Sequence, residues 1–306
     1  MDSGMYKDFR SDTPNTVWVL TKEVASPTVF KQVTLNHVIA GDTDSAMLKL
    51  PDSITEGLTV DDAVQIADVA TEMVNEQYPD FGKFAFNIPE DRRWMFNSDR
   101  EKVSDSSFFS TKKRYAMRVV DNEGSREVKT VFVGLEIVKS DTTNVEKELL
   151  TELVTMILDD HDMDKVKDRI EDYKRDFKSY PFVDIAKPSS VNTLAKATEQ
   201  YRTTGTTKSI HYAAKAALIW NLEKGDDDPE IYPGEKVGIL YVKGMPYNAI
   251  AFPIDMKTFP EWFKKIPVDY DKMWKKSEKK VISYLSVMRW DRKSQQEDKR
   301  KDLFGF

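Results

Sequence analysis

Two carboxylates one residue apart are the feature of this sequence best suited to chemistry. Asp42 and Asp44 lie in the string GDTDS at residues 41–45, between two short runs that are typical of strands. At the tip of a hairpin their like charges would repel each other, and a bound divalent cation would relieve that repulsion. Aspartate is also common in ordinary turns, so the pair alone leaves both a plain turn and a metal site open.

The rest of the composition restricts which metal such a site could hold. The 306-residue chain has no cysteine and only three scattered histidines, His37, His161 and His211. Disulfides, thiolate zinc sites and cysteine nucleophiles are therefore excluded, and a histidine-only metal site is disfavoured. Carboxylate ligands favour Mg²⁺, Mn²⁺ or Ca²⁺.

Length and composition predict a folded protein of about two domains. The chain is 40% apolar and 32% charged, which is typical of a globular protein. It has no apolar run of about 18 residues, and its start, MDSGMYKDFR, lacks the basic and apolar regions of a signal peptide. These features predict a cytoplasmic protein that makes no membrane contact.

The charge is distributed unevenly along the chain. The formal net charge is −6, and residues 41–100 carry −8 whereas residues 261–306 carry +5. Such segregation predicts one region that collects cations and another that meets an anionic partner, although lysine-rich helices can also be plain solvated faces.

The first half of the chain predicts a β-rich region. Alternating polar and apolar residues predict strands at 31–39 and 45–50, which form a hairpin around the two aspartates. Thr59 is expected to cap an amphipathic helix at 60–76. Further strands are predicted at 82–88, 93–99, 114–121 and 128–137, the last two joined by a turn at 122–125.

The second half predicts mostly helices. Helical periodicity is present around 145–158, 166–177, 209–221 and 270–288, with short strands at 236–242 and 249–252. The two halves together predict an α+β fold.

Several short motifs follow one another along the chain: GDTDS at 41–45, DRE at 99–101, KKRY at 112–115, SSVN at 189–192 with Lys196, GEKV at 234–237 and an aromatic tail at 303–306. Their types and order resemble family B DNA polymerases of the T-even-type bacteriophages. In that family GDTDS is motif C, a hairpin of the palm. Ala40 departs from the family, which usually has an aromatic residue there.

The resemblance implies an antiparallel palm β-sheet with flanking helices, followed by a mostly helical thumb. It assigns residues 31–140 to the palm, 141–293 to the thumb and 294–306 to a clamp-binding tail, and leaves 1–30 unassigned. Only 40 residues precede Gly41, so the exonuclease, motif A and the fingers are expected on an N-terminal partner subunit of a split polymerase. That partner would also make most contacts with the dNTP.

The resemblance also implies the metal ligands. Asp44 would directly coordinate two Mg²⁺ ions that are shared with the partner subunit, and Asp42 would lie beside it as the second catalytic acid. Ions about 3.5–4 Å apart can stabilise both the attacking and the leaving oxygen of a phosphoryl transfer. Glu101 could lie near these ions, or it could be a surface acid at the end of a strand.

Further residues are implied to contact primer-template DNA and a sliding clamp. Lys113 and Tyr115 are expected at the terminal base pairs, and if Lys113 points at DNA then Lys112 and Arg114 alternate to the other side of a strand. The thumb is expected to bind phosphates through Ser189, Ser190, Asn192 and Lys196. The apolar tip Leu303, Phe304 and Phe306 is expected to enter a pocket on the clamp. His211 is expected to pack in the thumb or to face a phosphate, not to act as a catalyst.

The sequence therefore predicts the C-terminal subunit of a split DNA-directed DNA polymerase, in the host cytoplasm if the gene belongs to a phage. A non-catalytic DNA- and clamp-binding protein derived from such an enzyme is the alternative. A Mg²⁺-dependent nuclease using Asp42, Asp44 and Glu101 is a third hypothesis, which lacks an evident general base.

Overall fold

The computed structural model describes residues 16–20, 30–34, 38–41, 45–50, 52–159 and 162–290. Helices and antiparallel strands both occur in them, which confirms the predicted α+β class. The chain divides into two compact units, the first made of Met1–Ser107 and Met117–Val131 and the second of Phe108–Ala116 and Phe132–Phe306. In the described part of the chain, none of the helices has both the length and the apolar character that crossing a membrane requires.

The first unit begins with two antiparallel ribbons and a long helix. Its first elements are β1 (Thr16–Leu20), β2 (Phe30–Thr34), β3 (Val38–Gly41), β4 (Ala46–Leu48), α1 (Asp52–Thr55) and α2 (Val60–Phe86). β1 pairs with β2 and β3 pairs with β4. The single strand predicted at 31–39 is wrong, because its two ends belong to different sheets.

Helix α2 begins at a capping box. The Oγ1 atom of Thr59 accepts a hydrogen bond from the N–H of Asp62 at 3.2 Å, and the Asp62 carboxylate accepts one from the N–H of Thr59 at 2.9 Å. The predicted cap is therefore confirmed, and its two reciprocal bonds satisfy N–H groups that the helix leaves unpaired. The helix continues past Pro79 and ends where Asn87 adopts a left-handed conformation, φ 51°.

An apolar stripe that is largely not buried runs along one face of α2. Of its 27 residues only Val64 and Gly82 are buried. Helical spacing places a set of seven apolar residues on one face, where Gln77 is the only polar interruption. The set is Ala63, Ile66, Ala70, Met73, Val74, Phe81 and Phe84. Val74, Phe81 and Phe84 are exposed, Phe84 to 76%. Large apolar side chains exposed on one face mark a surface that a partner can cover.

The strands predicted at 82–88 and 93–99 are wrong. The first lies mostly within α2, and the second begins in a 3₁₀ turn, Glu90–Met95. The backbone of Ser98 bonds to a side chain instead of a neighbouring strand. The Asn75 amide accepts from its N–H at 2.7 Å and donates to its carbonyl at 2.9 Å.

A three-stranded sheet contributes residues to both units. Its strands β5 (Lys102–Thr111), β6 (Arg114–Asn122) and β7 (Lys129–Val133) lie in the order β5-β6-β7. The predicted strand at 114–121 is confirmed, whereas the strand predicted at 128–137 stops at Val133. Gly134 follows it with φ 62°, a left-handed conformation that ends the strand.

A buried carboxylate holds the end of β6. Asp121 is fully buried and accepts hydrogen bonds from the side chains of Arg100 and Arg126 and from the N–H of Gly124. Burial alone would raise the pKa of Asp121, but these donors lower it below its ordinary value. Arg100 also bonds to Asp68 of α2, so the network ties the sheet to that helix within the first unit.

The second unit is mostly helical and surrounds a small sheet. Its further elements are α3 (Asn144–Asp159), α4 (Met163–Asp176), α5 (Phe182–Ile185), β8 (Lys187–Ser190), α6 (Leu194–Thr204), α7 (Tyr212–Glu223), β9 (Lys236–Tyr241), β10 (Ala249–Pro253), α8 (Glu261–Lys264) and α9 (Tyr270–Val287). The sheet has the order β10-β9-β8. Its core contains Trp220, Phe252 and Phe263, whose rings lie 5.2–5.6 Å apart around Phe263.

The periodic elements of this unit agree with the sequence, and four others, α5, β8, α6 and α8, were missed. Helices α3, α4, α7 and α9 and strands β9 and β10 lie where the patterns predict them, within a few residues. β8 has four residues, including Pro188, and forms because it pairs with β9 (Ser190 opposite Lys236). α6 follows it and was not predicted.

Candidate metal site and nucleic-acid interface

The hairpin that carries the two aspartates is present. β3 and β4 pair antiparallel, with Gly41 opposite Ala46 and Ala40 opposite Met47. Asp42 and Asp44 themselves lie outside the described residues, between these two strands. The structure thus brackets the tip of the predicted hairpin, and the role of its two acids stays a prediction.

Glu101 lies directly before β5 in the first unit. Its side chain is 67% exposed and contacts the ammonium group of Lys102 at 3.3 Å. Its carbonyl accepts a hydrogen bond from the N–H of Glu123 at 2.8 Å, which fixes the backbone there. Among the residues with described positions, no group of three histidine or carboxylate side chains is arranged to hold a metal ion. Glu101 as a metal ligand also stays a prediction.

Lys112 and Lys113 form the turn between β5 and β6. A two-residue connection of this kind joins antiparallel strands. Lys113 has φ 62°, and both side chains are exposed. The predicted strand-like alternation of residues 112–114 is wrong, because a left-handed residue does not alternate sides as an extended strand does.

Gly134 lies against this turn. A Cβ atom at residue 134 would be 2.1 Å from the carbonyl oxygen of Lys113, and the backbone there has φ 62°. Only glycine fits both conditions without displacing the turn. The position of Lys113 therefore depends on a residue at the end of β7.

The other two residues of the KKRY string contact neighbours in the second unit. The ring of Tyr115 lies 5.5 Å from the ring of Phe109. The Arg114 guanidinium contacts the Glu136 carboxylate at 3.3 Å, and the same carboxylate accepts from Lys139 at 2.8 Å and from the Tyr284 hydroxyl at 3.3 Å. Arg114 is therefore held by protein, which favours a role in positioning the turn.

The predicted phosphate-binding residues of the thumb lie on one strand–turn–helix segment. Ser189 is half-buried on β8, and Ser190, Asn192 and Lys196 are exposed. α6 starts at Leu194 without a side-chain cap from Thr193. Hydroxyl, amide and ammonium donors next to the uncapped start of a helix can bind phosphate oxygens.

Comparison with known proteins decides the family. A sequence model described as DNA polymerase family B matches residues 11–218, which is more than half of the chain. This chain belongs to DNA polymerase family B. The match includes the β3–β4 hairpin and the KKRY turn, and it starts inside the segment 1–30 that the motifs left unassigned.

Two phage proteins are similar to this family B chain. A DNA-directed DNA polymerase of Escherichia phage RB69 is 31% identical over 154 residues, which are 48% of this chain and 16% of that protein. A DNA-directed DNA polymerase of Enterobacteria phage T4 is 25% identical over 183 residues, which are 53% of this chain and 20% of that protein. The alignments therefore span a fifth or less of the length of these relatives.

The family B chain also has a basic cluster that the motifs did not include. The ammonium groups of Lys272 and Lys276 on α9 lie 4.5 and 4.8 Å from the ring centre of Tyr241. Burial alone would raise the pKa of Tyr241, but hydrogen bonds with Lys276 and Tyr212 and the positive charges of Lys276 and Lys187 lower it overall. The spacing of four residues, which puts Lys272 and Lys276 on one helix face, is the signal that could have identified them.

Two further predicted assignments have a simple outcome. Leu303, Phe304 and Phe306 lie outside the described residues, so the clamp contact stays a prediction. His211 occupies the N-cap position of α7, where its side chain makes no capping hydrogen bond and the residue is exposed. Packing of His211 in the thumb is therefore wrong, and the phosphate-facing position stays a prediction.

Proposed function

We propose that this family B chain is the palm-and-thumb subunit of a split DNA-directed DNA polymerase. The family match over residues 11–218 carries the proposal, because it includes the hairpin of Asp42 and Asp44 together with the KKRY turn. We assign residues 31–140 to the palm, 141–293 to the thumb and 294–306 to a tail whose Leu303, Phe304 and Phe306 bind a sliding clamp. The host cytoplasm is the proposed location.

Family B polymerases generally use divalent metal ions, and the donors of this chain suit Mg²⁺. Asp42 and Asp44 are hard oxygen ligands, and the paired strands β3 and β4 fix the two ends of their turn. We assign direct coordination to Asp44 and a supporting position to Asp42, with Glu101 as a nearby acid. When bound, two ions would stabilise the charges of the attacking and leaving oxygens.

The proposed DNA contacts use two exposed segments of the second unit. Lys112 and Lys113 extend from the hairpin turn and Tyr115 lies beside it, where a primer terminus would be bound. Ser189, Ser190, Asn192 and Lys196 would donate to phosphates of the duplex, which needs no base sequence. Arg114 would support the turn through Glu136.

The exposed apolar stripe of α2 supports assembly with a second polypeptide. Val74, Phe81 and Phe84 lie on that face, and Trp94 is exposed to 73% just after the helix. The alignments cover only 16% and 20% of the two phage polymerases. We infer that a chain with the exonuclease, motif A and the fingers binds there and makes most dNTP contacts.

Primer extension tests this function. The chain alone should extend a primer poorly, a polypeptide carrying motif A and the fingers should do the same, and the mixture should synthesise DNA. The mixture brings both sets of carboxylates to the metal ions, which explains the expected gain. A mixture that forms a stable complex on size exclusion but does not extend the primer would contradict the catalytic proposal and favour a DNA-binding role.

The DNA contacts predict a defined salt dependence. Lys113→Ala and Lys196→Ala should each weaken duplex binding, and each should lower the slope of log affinity against log salt by about one, as expected for one lost phosphate contact. Fluorescence anisotropy with a labelled primer-template at several salt concentrations measures both quantities. Lys174→Ala, at an exposed lysine of α4 that contacts Glu171, is the matched control. An unchanged slope for Lys113→Ala and Lys196→Ala would refute these contacts.

A further inference from the structure

An open groove in the second unit has an apolar floor and a basic rim. Its volume is about 690 Å³. Half-buried Tyr180, Phe182, Met256 and Phe259 line the floor. None of these residues belongs to the hairpin, the KKRY turn or the thumb segment assigned to DNA.

The floor is held rigidly by the aromatic core beneath it. The ring of Phe259 lies 5.6 Å from that of Phe182 and 5.2 Å from that of Phe263. Phe263 is fully buried, and Phe252, also fully buried, lies 4.9 Å from Phe259. A floor fixed in this way needs little ordering when a ligand binds, which reduces the entropic cost of binding.

The rim of the groove is positively charged. Lys178, Lys257 and Lys264 line it together with a single acid, Asp255. Lys264 contacts Glu261 at 2.6 Å. Lys178 and Lys257 are exposed and, among the described residues, have no hydrogen-bonded or ion-paired partner. The lysines give the groove a local positive charge although the whole chain carries −6.

We propose that this groove binds a short acidic peptide segment of a partner protein that inserts one bulky apolar side chain. The mixed aromatic and aliphatic floor would bury the apolar side chain, and the rim lysines would attract the flanking carboxylates. Burial of one large side chain in a preformed pocket supplies most of the affinity in such interfaces, and complementary charge supplies specificity and speed of association. This site is independent of the polymerase activity proposed above.

Fluorescence anisotropy with the full chain tests the site. The probe is a fluorescein-labelled peptide of aspartate and glutamate residues around one phenylalanine. Saturable binding is expected, and the double variant Lys178→Glu/Lys257→Glu should weaken it at least about tenfold through lost and reversed charge. The exposed pair Lys174→Glu/Lys208→Glu, outside the groove lining, is the matched control. Circular dichroism confirms that both variants fold.

Three outcomes would overturn the proposal. The first is equal binding by the two double variants, and the second is equal binding of a peptide with serine in place of phenylalanine. The third is displacement of the labelled peptide by unlabelled oligothymidine at a lower concentration than by unlabelled peptide. The last outcome would identify the groove as a site for single-stranded nucleic acid.

Discussion

Asp44→Asn should abolish DNA synthesis by the assembled polymerase, lowering the primer-extension rate by at least about 10²–10³-fold. That is the scale of losing one fixed group that stabilises transition-state charge. The amide keeps the size of the side chain but removes the negative charge that would bind Mg²⁺ in the proposed site. Single-turnover primer extension with saturating dNTP measures the effect, and size exclusion with the partner polypeptide measures assembly, which should be unchanged.

The neighbouring acids make this test specific. Asp42→Asn should be less severe than Asp44→Asn, because Asp42 is assigned only a supporting position. Asp168→Asn, at an exposed acid of α4, is the matched control and should retain full activity. An assembled Asp44→Asn polymerase that extends primers at the normal rate would refute the metal assignment.

Asp121→Asn should destabilise the first unit by about 3–5 kcal/mol, the usual cost of removing one partner from a buried ion pair. The substitution leaves the guanidinium of Arg100, whose side chain is only 11% exposed, without its buried counter-charge. Hydrogen exchange of residues 60–107, monitored at increasing urea concentration, measures the lost free energy of unfolding. The same network includes Asp68, so α2 should lose protection together with the sheet.

The matched control is Asp105→Asn. Asp105 also pairs with an arginine of β6, Arg118 at 2.9 Å, but its side chain is 40% exposed. Exposed pairs contribute about 0–1 kcal/mol, so this variant should be nearly as stable as the parent chain. Equal losses in the two variants would contradict the importance of the buried network.

The network also predicts a pH dependence. The folded-state pKa of Asp121 lies below the ordinary aspartate value of 3.8. The stability that it contributes is therefore complete above that value and is lost as the pH falls through the lowered folded-state pKa. In Asp121→Asn this part of the acid-induced loss should disappear, which unfolding measurements between neutral and acid pH would detect.

Local patterns predicted the elements that are specified by neighbouring residues. The Thr59 cap, the turn at 122–125 after β6 and the periodic helices α3, α4 and α9 follow from short-range spacing. The sequence predicts a helix that ends at residue 76 and a strand at 82–88, but the helix continues to Phe86, and the ring of Tyr78 within it lies 6.0 Å from that of Phe96. Tertiary packing overrides propensity there.

The candidate site also has parts that the sequence predicts and parts that only the folded structure reveals. The strings GDTDS and KKRY could be identified because their chemistry lies in consecutive residues. The contact of Arg114 with Glu136 joins positions 22 residues apart, and the approach of Lys272 to Tyr241 depends on how α9 packs on β9. No local pattern records such contacts, because they exist only after the second unit has folded.

Glu136 connects the hairpin turn between β5 and β6 to helix α9. Its single carboxylate accepts from Arg114 beside the hairpin turn, from Lys139 of its own loop and from Tyr284 near the end of α9. A shift of α9 would therefore be passed through Glu136 to the hairpin turn. Under the proposed function, movement of α9 on duplex binding would also move Lys112 and Lys113, which couples the two proposed DNA contacts.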